Sequence, residues 1–280
     1  LADPRLRKLT FTGSTGVGRK LLAQSADRVL RTSMELGGNA PFVVFDDADL
    51  DAAVDGAMAA KMRNMGEACT AANRIHVDNA VRAEFTEKLA ARMAALATGP
   101  GDQAGSQVGP LITAKQRATV DELVQDAVNK GATVATGGKP VEGEGFFYPP
   151  TVLADVSSDA RLLREEIFGP VLSVVRSPDY QTAARMINEH EYGNGTAIFT
   201  RDGDTAREFA HQIQVGMVGI NVPIPVPMAF HSFGGWKASL FGDTHMYGAE
   251  AFNFYTRRKV VTTRWPDPTQ SQVDLGFPTN

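Results

Sequence analysis

Hydrophobic residues along the chain occur either in short continuous runs or at intervals of three and four positions. Short runs predict buried strands, and the wider spacing predicts helices with one apolar face. The predicted strands are residues 9–12, 41–45, 75–77, 171–175, 197–200 and 217–221. Because helices are predicted between most of these strands, the pattern indicates an α/β fold with parallel pairing.

The first predicted helix follows residues 9–12 and has on one face Val17, Leu21, Leu22, Val29 and Leu30. A second helix begins at Asp49, a capping residue, and ends at Gly66. Its apolar face consists of Val54, Met58, Met62 and Met65. The remaining helices are predicted at the apolar set Val81, Phe85, Leu89, Met93 and Leu96, and at residues 113–130, 182–189 and 204–213.

Three segments depart from this alternation. Residues 222–227 contain three prolines, which remove donors from a strand ladder, so we expect an irregular loop at a functional edge. Residues 252–263 have the mixed alternation of a strand, either an ordinary terminal strand or one used in assembly. The tail after Trp265, with Pro266, Pro268 and Pro278, is expected to be loosely ordered.

Composition excludes several classes of protein. The 280 residues are 43% hydrophobic and 21% charged with a net charge of −4, which argues against disorder and nucleic-acid binding. No apolar run is long enough to span a bilayer. A single cysteine rules out an intramolecular disulfide, and the five histidines lack paired ligand spacing, so no metal is predicted. We expect a cytoplasmic protein without nucleic-acid or membrane partners.

The single cysteine, Cys69, follows Gly66-Glu67-Ala68, and Glu35 opens a Glu-Leu-Gly-Gly segment upstream. This arrangement favours a nucleophile with its base. The alternatives are a buried structural cysteine and a capping or solvated glutamate. Because a free thiol has a pKa of about 8.5, a nucleophile here needs a base or a nearby positive dipole.

Three further features could belong to the same site. The loop from Gly13 to Gly18 joins a strand to a helix and would admit a dinucleotide, although on its own it is better explained as a plain glycine-rich turn. Arg63 lies six residues before Cys69 and is either a pocket cation or a solvated side chain. Glu165-Glu166-Ile-Phe-Gly-Pro170 is either a further site segment or a surface turn.

Four motifs follow one another along the chain: the Gly13–Gly18 loop, Glu35-Leu-Gly-Gly, Gly-x-x-Cys69 and Glu166-Ile-Phe-Gly-Pro. Taken together and in this order, they resemble the aldehyde dehydrogenase superfamily over essentially the whole chain. The resemblance implies an α/β catalytic domain, the last part of a Rossmann-like cofactor domain and an oligomerisation strand. It places the end of the cofactor domain at residues 1–35, the catalytic domain at 36–235, and the return to the cofactor domain with the oligomerisation strand at 236–280. The chain begins Leu-Ala-Asp-Pro and is expected to lack an N-terminal part.

The resemblance also implies roles for individual residues. Cys69 would attack the aldehyde, hydride would pass to NAD or NADP, and Glu35 would activate water to hydrolyse the thioester. Arg63 would bind a substrate carboxylate. The cofactor would be held by Gly13, Ser14, Gly18, Leu36, Glu166 and Phe168. A homodimer or homotetramer is implied for the full-length protein.

Two branches of the family are represented. The segments Ser33–Phe42 and Arg63–Cys69 resemble succinate-semialdehyde dehydrogenase. From residue 171 onward, phrases such as Phe233-Gly-Gly-Trp-Lys resemble methylmalonate-semialdehyde dehydrogenase, a CoA-acylating enzyme that lacks the glutamate. Hydrolysis, transfer to CoA, and an inactive piece that needs its missing part therefore all stay open, as does the choice between NAD and NADP.

Overall fold

The computed structural model describes residues 1–265 and 276. The strands of this part are, in chain order, β1 Lys8–Thr12, β2 Arg31–Glu35, β3 Ala40–Val44, β4 Ala72–Asp78, β5 Thr133–Thr136, β6 Thr151–Ala154, β7 Val171–Ser177, β8 Tyr192–Gly193, β9 Gly195–Phe199, β10 Met217–Ile220, β11 Trp236–Lys237 and β12 Leu240–Phe241. The α-helices are α1 Thr15–Ala26, α2 Leu50–Met62, α3 Arg82–Ala94, α4 Ala114–Asn129, α5 Tyr180–Asn188, α6 Gly203–Gln212 and α7 Glu250–Tyr255. Short 3-10 helices cover Arg63–Gly66 and Arg161–Leu163.

The larger sheet has the strand order β10-β9-β3-β4-β7-β6-β5. Its neighbours pair in parallel except for β5 and β6, which are antiparallel. All five residues of β3 are buried, as expected where helices cover both faces of a parallel sheet. The predicted α/β class with parallel pairing is confirmed.

Helices cover the two faces of this sheet unequally. On one face α2 and α3 pack with Phe42, Ile75 and Leu172 in a single apolar cluster. The opposite face carries two clusters, one under α4 and one under α5 and α6. Strand β4 alternates accordingly, because Ile75 and Val77 join the first cluster. The alternate positions Arg74 and His76 are buried polar residues and belong to neither of the other two clusters.

A smaller sheet joins the two ends of the described chain. Its order is β1-β2-β12, with β1 and β2 parallel and β12 antiparallel to β2. Leu240 pairs with Glu35, and the Leu36 N–H donates to the Ser239 carbonyl at 2.9 Å. The segment near residue 240 therefore fixes the end of β2, where Glu35 lies.

Most predicted elements are present, and the capping prediction at Asp49 is confirmed because its side chain accepts from the Ala52 N–H. The first helix is shorter than predicted. It ends at Ala26, and Val29 is 88% exposed with a φ of 51°. The chain reverses there because Arg31 must pair with Lys8. The second helix ends at Met62, and Met65 and Gly66 belong to the 3-10 turn that follows.

The strand predicted at residues 252–263 is wrong. Residues 250–255 form helix α7, which buries Phe254 beside Lys8, and no strand is assigned between 256 and 265. β-propensity stabilises a strand only where a neighbour can pair with it, and the described residues supply none there. Pro266, Pro268 and Pro278 lie outside the described residues.

Candidate active site

Cys69 lies in a turn between the 3-10 helix Arg63–Gly66 and the start of β4. Beside it is a cavity of about 390 Å³, and Glu35 and Arg63 also line this cavity. The fold therefore brings the predicted nucleophile, base and carboxylate-binding residue to one place. The cavity lies between the carboxyl end of β2 in the small sheet and the amino ends of β4, β9 and β10 in the large one.

The chain reaches Cys69 through a left-handed backbone segment. Asn64, Met65 and Gly66 have φ values of 51°, 55° and 76°, a region that non-glycine side chains rarely adopt. A Cβ at Gly66 would lie 2.4 Å from the Gly169 carbonyl oxygen, so only glycine fits there. This turn brings Arg63, which is exposed, and Cys69, which is half-buried, to the same cavity.

The surroundings of Cys69 favour the neutral thiol. Burial raises its pKa most, and the nearby carboxylates of Glu166 and Glu35 raise it further, whereas a hydrogen bond with Asn194 lowers it. Glu35 therefore cannot stabilise a thiolate through its charge. It can accept the thiol proton, because the transfer removes its own charge.

Glu35 is the last residue of β2, and its side chain is 13% exposed. Its Oε1 lies 2.9 Å from the Tyr247 hydroxyl and 3.9 Å from His245 Nδ1. Burial raises the pKa of the Glu35 carboxyl, and the Tyr247 hydrogen bond and the His245 charge lower it in part. A carboxyl with a raised pKa is a stronger base than an ordinary one, as general-base catalysis requires.

Gly37 and Gly38 allow the chain after Glu35 to approach Cys69 and Glu166 closely. A Cβ at Gly38 would lie 2.0 Å from the Cys69 carbonyl oxygen, and one at Gly37 would lie 2.8 Å from Glu166 Oε2. The Gly38 N–H donates to Glu166 Oε1 at 3.0 Å. Glu166 is thus held against the Gly-Gly segment beside Cys69, and burial raises the pKa of its carboxyl.

The loop before α1 has the features of an anion-binding helix start. Ser14 is the N-cap and makes no side-chain capping bond, and no acidic residue occupies the first turn. Ser14 and Gly16 are exposed, and a Cβ at Gly16 would meet nothing within 4 Å. The first N–H groups of a helix have no partner within it, so these residues fit a phosphate group.

The other residues predicted at the cofactor are arranged around this loop or the Glu166 turn. The Gly13 N–H donates to the Glu35 carbonyl at 3.0 Å. Gly18 faces Leu36, which is 2% exposed, and a Cβ at Gly18 would lie 2.4 Å from its Cδ2. Phe168 is half-buried with a φ of 50°. Leu36 therefore packs under the loop instead of facing solvent.

Sequence reasoning missed several residues of the site. Asn194 lines the cavity and donates to the Cys69 carbonyl at 3.3 Å; the only signal for it was its place in a Gly-Asn-Gly phrase. Tyr247 and His245 gave no signal, since more than 200 positions separate them from Glu35. Lys61, next to the site, is fully buried and donates to Asn73 Oδ1 at 2.7 Å, and burial lowers its pKa to about 7.

The described residues contain no group of three or more histidine, cysteine, aspartate or glutamate side chains arranged to hold a metal ion. None of their helices has the length and apolar character required to cross a membrane.

Comparison with known proteins places this site in context. Residues 1–261 match the model of the aldehyde dehydrogenase family. A succinate-semialdehyde dehydrogenase of Paenarthrobacter nicotinovorans is 53% identical over 261 residues, which are 93% of this chain and 57% of that protein. The resemblance to the family that the motifs indicated is confirmed.

Solved structures agree with this result. A methylmalonate-semialdehyde dehydrogenase from Oceanimonas doudoroffii has a TM-score of 0.90 at 42% identity, over 95% of this chain and 56% of the other. A Sinorhizobium meliloti structure complexed with NAD has a TM-score of 0.91 at 36% identity, over 96% of this chain and 56% of the other. Similarity to both predicted branches is confirmed, and the chain spans about half the length of the relatives it matches.

Proposed function

This chain belongs to the aldehyde dehydrogenase family, and we propose that it carries the catalytic part of an NAD(P)-dependent dehydrogenase that oxidises a small semialdehyde to its carboxylic acid. The observation that carries this proposal is the single cavity lined by Cys69, Glu35 and Arg63. A nucleophile, a base and a cation at one cavity are the groups that a thioester route with a carboxylate-bearing substrate needs.

In the proposed reaction Cys69 Sγ attacks the aldehyde carbon, and its proton passes to the Glu35 carboxylate through one water molecule, because the two side chains make no direct hydrogen bond. The negative charge that develops on the aldehyde oxygen is stabilised by the Cys69 backbone N–H, a type of contact worth about 3 kcal/mol. Asn194 holds the Cys69 carbonyl and so fixes the orientation of this turn.

When bound, the nicotinamide would supply the hydride acceptor, and loss of hydride from the substrate carbon would leave a thioester on Cys69. Gly13, Ser14 and Gly18 would lie along its phosphates, and Glu166 would accept hydrogen bonds from its ribose. Phe168 would border the nicotinamide, and the buried Leu36 would support the Gly13–Gly18 loop from beneath. Once Glu35 has released the thiol proton to solvent, its carboxylate would take a proton from the water that attacks the thioester carbon. The carbon–sulfur bond would then break, the acid would leave, and Glu35 would return its proton to the Cys69 thiolate, a role supported by its burial and raised pKa.

Arg63 supports a substrate that bears a carboxylate. It is exposed, lines the cavity and has no ion-pair partner among the described residues. A charge-assisted hydrogen bond from its guanidinium would orient the semialdehyde with its aldehyde toward Cys69.

We further propose the domain assignment made from the sequence, with residues 1–35 and 236–280 belonging to the cofactor domain and 36–235 to the catalytic domain. The pairing of β1, β2 and β12 in one small sheet supports it. Assembly into a dimer or tetramer and a cytoplasmic location remain predictions.

Transfer of the acyl group to CoA is a second candidate. It is favoured by the loop of residues 222–233, which resembles the CoA-acylating branch and contributes Ile224, Val226 and Phe233 to the cavity. The presence of Glu35 in the same cavity favours water as the acceptor, so hydrolysis is the first candidate.

The test is reduction of NAD and NADP with succinate semialdehyde and methylmalonate semialdehyde, each with and without CoA. We expect reduction without CoA that disappears in Cys69→Ala and falls strongly in Glu35→Gln. Reduction that requires CoA and is insensitive to Glu35→Gln would support the second candidate. Turnover that survives Cys69→Ala would contradict both. A folded chain without turnover would support the third alternative, a piece that needs the rest of its parent.

A further inference from the structure

The Tyr247 hydroxyl lies between two groups that both accept hydrogen bonds. Its oxygen is 2.6 Å from the Phe233 carbonyl oxygen and 2.9 Å from Glu35 Oε1. A phenol has one proton to donate, and a backbone carbonyl has none. An ionised Glu35 and the Phe233 carbonyl therefore compete for the same proton.

Neighbouring rings hold the phenol in place. The ring of Phe233 lies 4.7 Å from that of Tyr247, and the ring of His245 lies 6.0 Å away and nearly parallel, at 14°. Since both flanking rings restrict Tyr247, a change in hydrogen bonding is met by rotation of the hydroxyl proton instead of movement of the ring.

Few other charged groups face Glu35. Within the described residues they are His245, whose buried Nδ1 has no hydrogen-bond partner, Cys69, and Arg63 across the cavity. None of them is within hydrogen-bond distance of the Glu35 carboxyl. Tyr247 is therefore the direct hydrogen-bond partner of this side chain.

We propose that Tyr247 is a positioning residue for Glu35, and that its single hydroxyl proton couples the ionisation of Glu35 to the loop at Phe233. When Glu35 is ionised, Tyr247 donates to Oε1 and leaves the Phe233 carbonyl. When Glu35 is protonated, it donates to the Tyr247 oxygen, and Tyr247 donates to Phe233. No covalent bond changes except the one between Glu35 and the proton it receives.

The catalytic role of this coupling rests on the proposed function. Phe233 and Gly234 line the cavity with Cys69. Each time Glu35 takes a proton, the Phe233 carbonyl gains a hydrogen bond, and the loop is held more firmly against the cavity. Each time Glu35 is ionised, the carboxylate is held by a charge-assisted bond, which is stronger than a neutral one.

The first test is a pH titration of the protonated carboxyl band by infrared difference spectroscopy, with Glu35→Gln to assign the Glu35 signal. Tyr247→Phe should raise the Glu35 midpoint by about one pH unit, the difference between a charge-assisted hydrogen bond to the carboxylate and a neutral one to the protonated carboxyl. The matched control is Tyr180→Phe, which also removes one hydroxyl but loses only a bond to Gln212; it should leave the midpoint unchanged. An unchanged midpoint in Tyr247→Phe, or the absence of any Glu35 band, would overturn the proposal.

A second measurement leaves Tyr247 in place, so it tests the proposal even if Tyr247→Phe does not fold. In the unsubstituted chain the tyrosine ultraviolet difference signal should follow the midpoint of Glu35 and disappear in Glu35→Gln. Persistence of that signal in Glu35→Gln would overturn the coupling. Neither readout requires turnover, so an inactive chain in which Tyr247→Phe shifts the midpoint would support the third alternative for its activity and leave this inference standing.

Discussion

Replacement of Gly38 by alanine tests how closely the Gly-Gly segment must approach Cys69. The added Cβ would lie 2.0 Å from the Cys69 carbonyl oxygen and 3.2 Å from its carbonyl carbon. Both atoms are backbone, so no flexible side chain can move aside. Since non-bonded carbon contacts are most favourable at about 3.5–4.0 Å, either the Cys69 turn or the Gly37-Gly38 segment before β3 must shift by roughly 1 Å or more.

Two effects follow, and they differ in size. Overpacking of this kind costs about 1–3 kcal/mol of the free energy of unfolding. A displacement of about 1 Å at a nucleophile can lower the rate about 100-fold. The Gly38 N–H bond to Glu166 and the Asn194 bond to Cys69 would be strained together. We therefore expect Gly38→Ala to reduce activity far more than stability.

Three assays separate these effects. Urea denaturation gives the free energy of unfolding, cofactor reduction gives kcat/KM, and iodoacetamide alkylation reports on Cys69 directly because the chain has no other cysteine. The matched control is Gly101→Ala, where an added Cβ would meet nothing within 4 Å; it should behave like the unsubstituted chain. If Gly38→Ala kept the same alkylation rate and unfolding midpoint, the close approach at Cys69 would be refuted.

Two further predictions concern Lys61 and Arg63. Burial lowers the pKa of Lys61 from 10.5 to about 7, so between these pH values the unfolded chain binds one proton more than the folded chain. The free energy of unfolding should therefore rise with pH over this window. In denaturation curves Lys61→Met should flatten that rise, whereas the exposed Lys115→Met should keep it; an unchanged slope in Lys61→Met would contradict the burial argument. Arg63→Ala should raise KM about tenfold or more for a semialdehyde that bears a carboxylate. It should leave KM unchanged for an aldehyde of equal length that has no carboxylate. An equal rise in KM for the two aldehydes would contradict the proposed role of Arg63.

The structure also changes the view of how Cys69 can be activated. From the sequence alone, either Glu35 as a base or a nearby positive dipole could have activated the Cys69 thiol. In the folded chain both Glu166 and Glu35 raise the pKa of the thiol, and Arg63 is exposed at the cavity. Proton transfer to Glu35 is therefore favoured over a preformed thiolate, because it removes one of the two opposing charges.

The sequence by itself determined the elements whose signals are local. Strand β3 is a continuous apolar run, α2 is capped by Asp49, and α4 is followed by Gly131 in a left-handed conformation with a φ of 96°. Each depends on residues within a few positions, so periodicity and capping predict them. The motifs around Cys69 and Glu35 likewise indicated the family, which the match over residues 1–261 confirms.

Only the tertiary structure decided which side chains meet. Tyr247 reaches Glu35 across 212 positions, and Asn194 reaches Cys69 across 125. Neither pairing has a periodic or local signal, because both arise where the ends of strands from two sheets come together. The same reason explains the error at residues 252–263, since a strand-like composition forms a strand only when the fold provides a neighbour. Local sequence determined the elements, and contacts between distant segments determined the site.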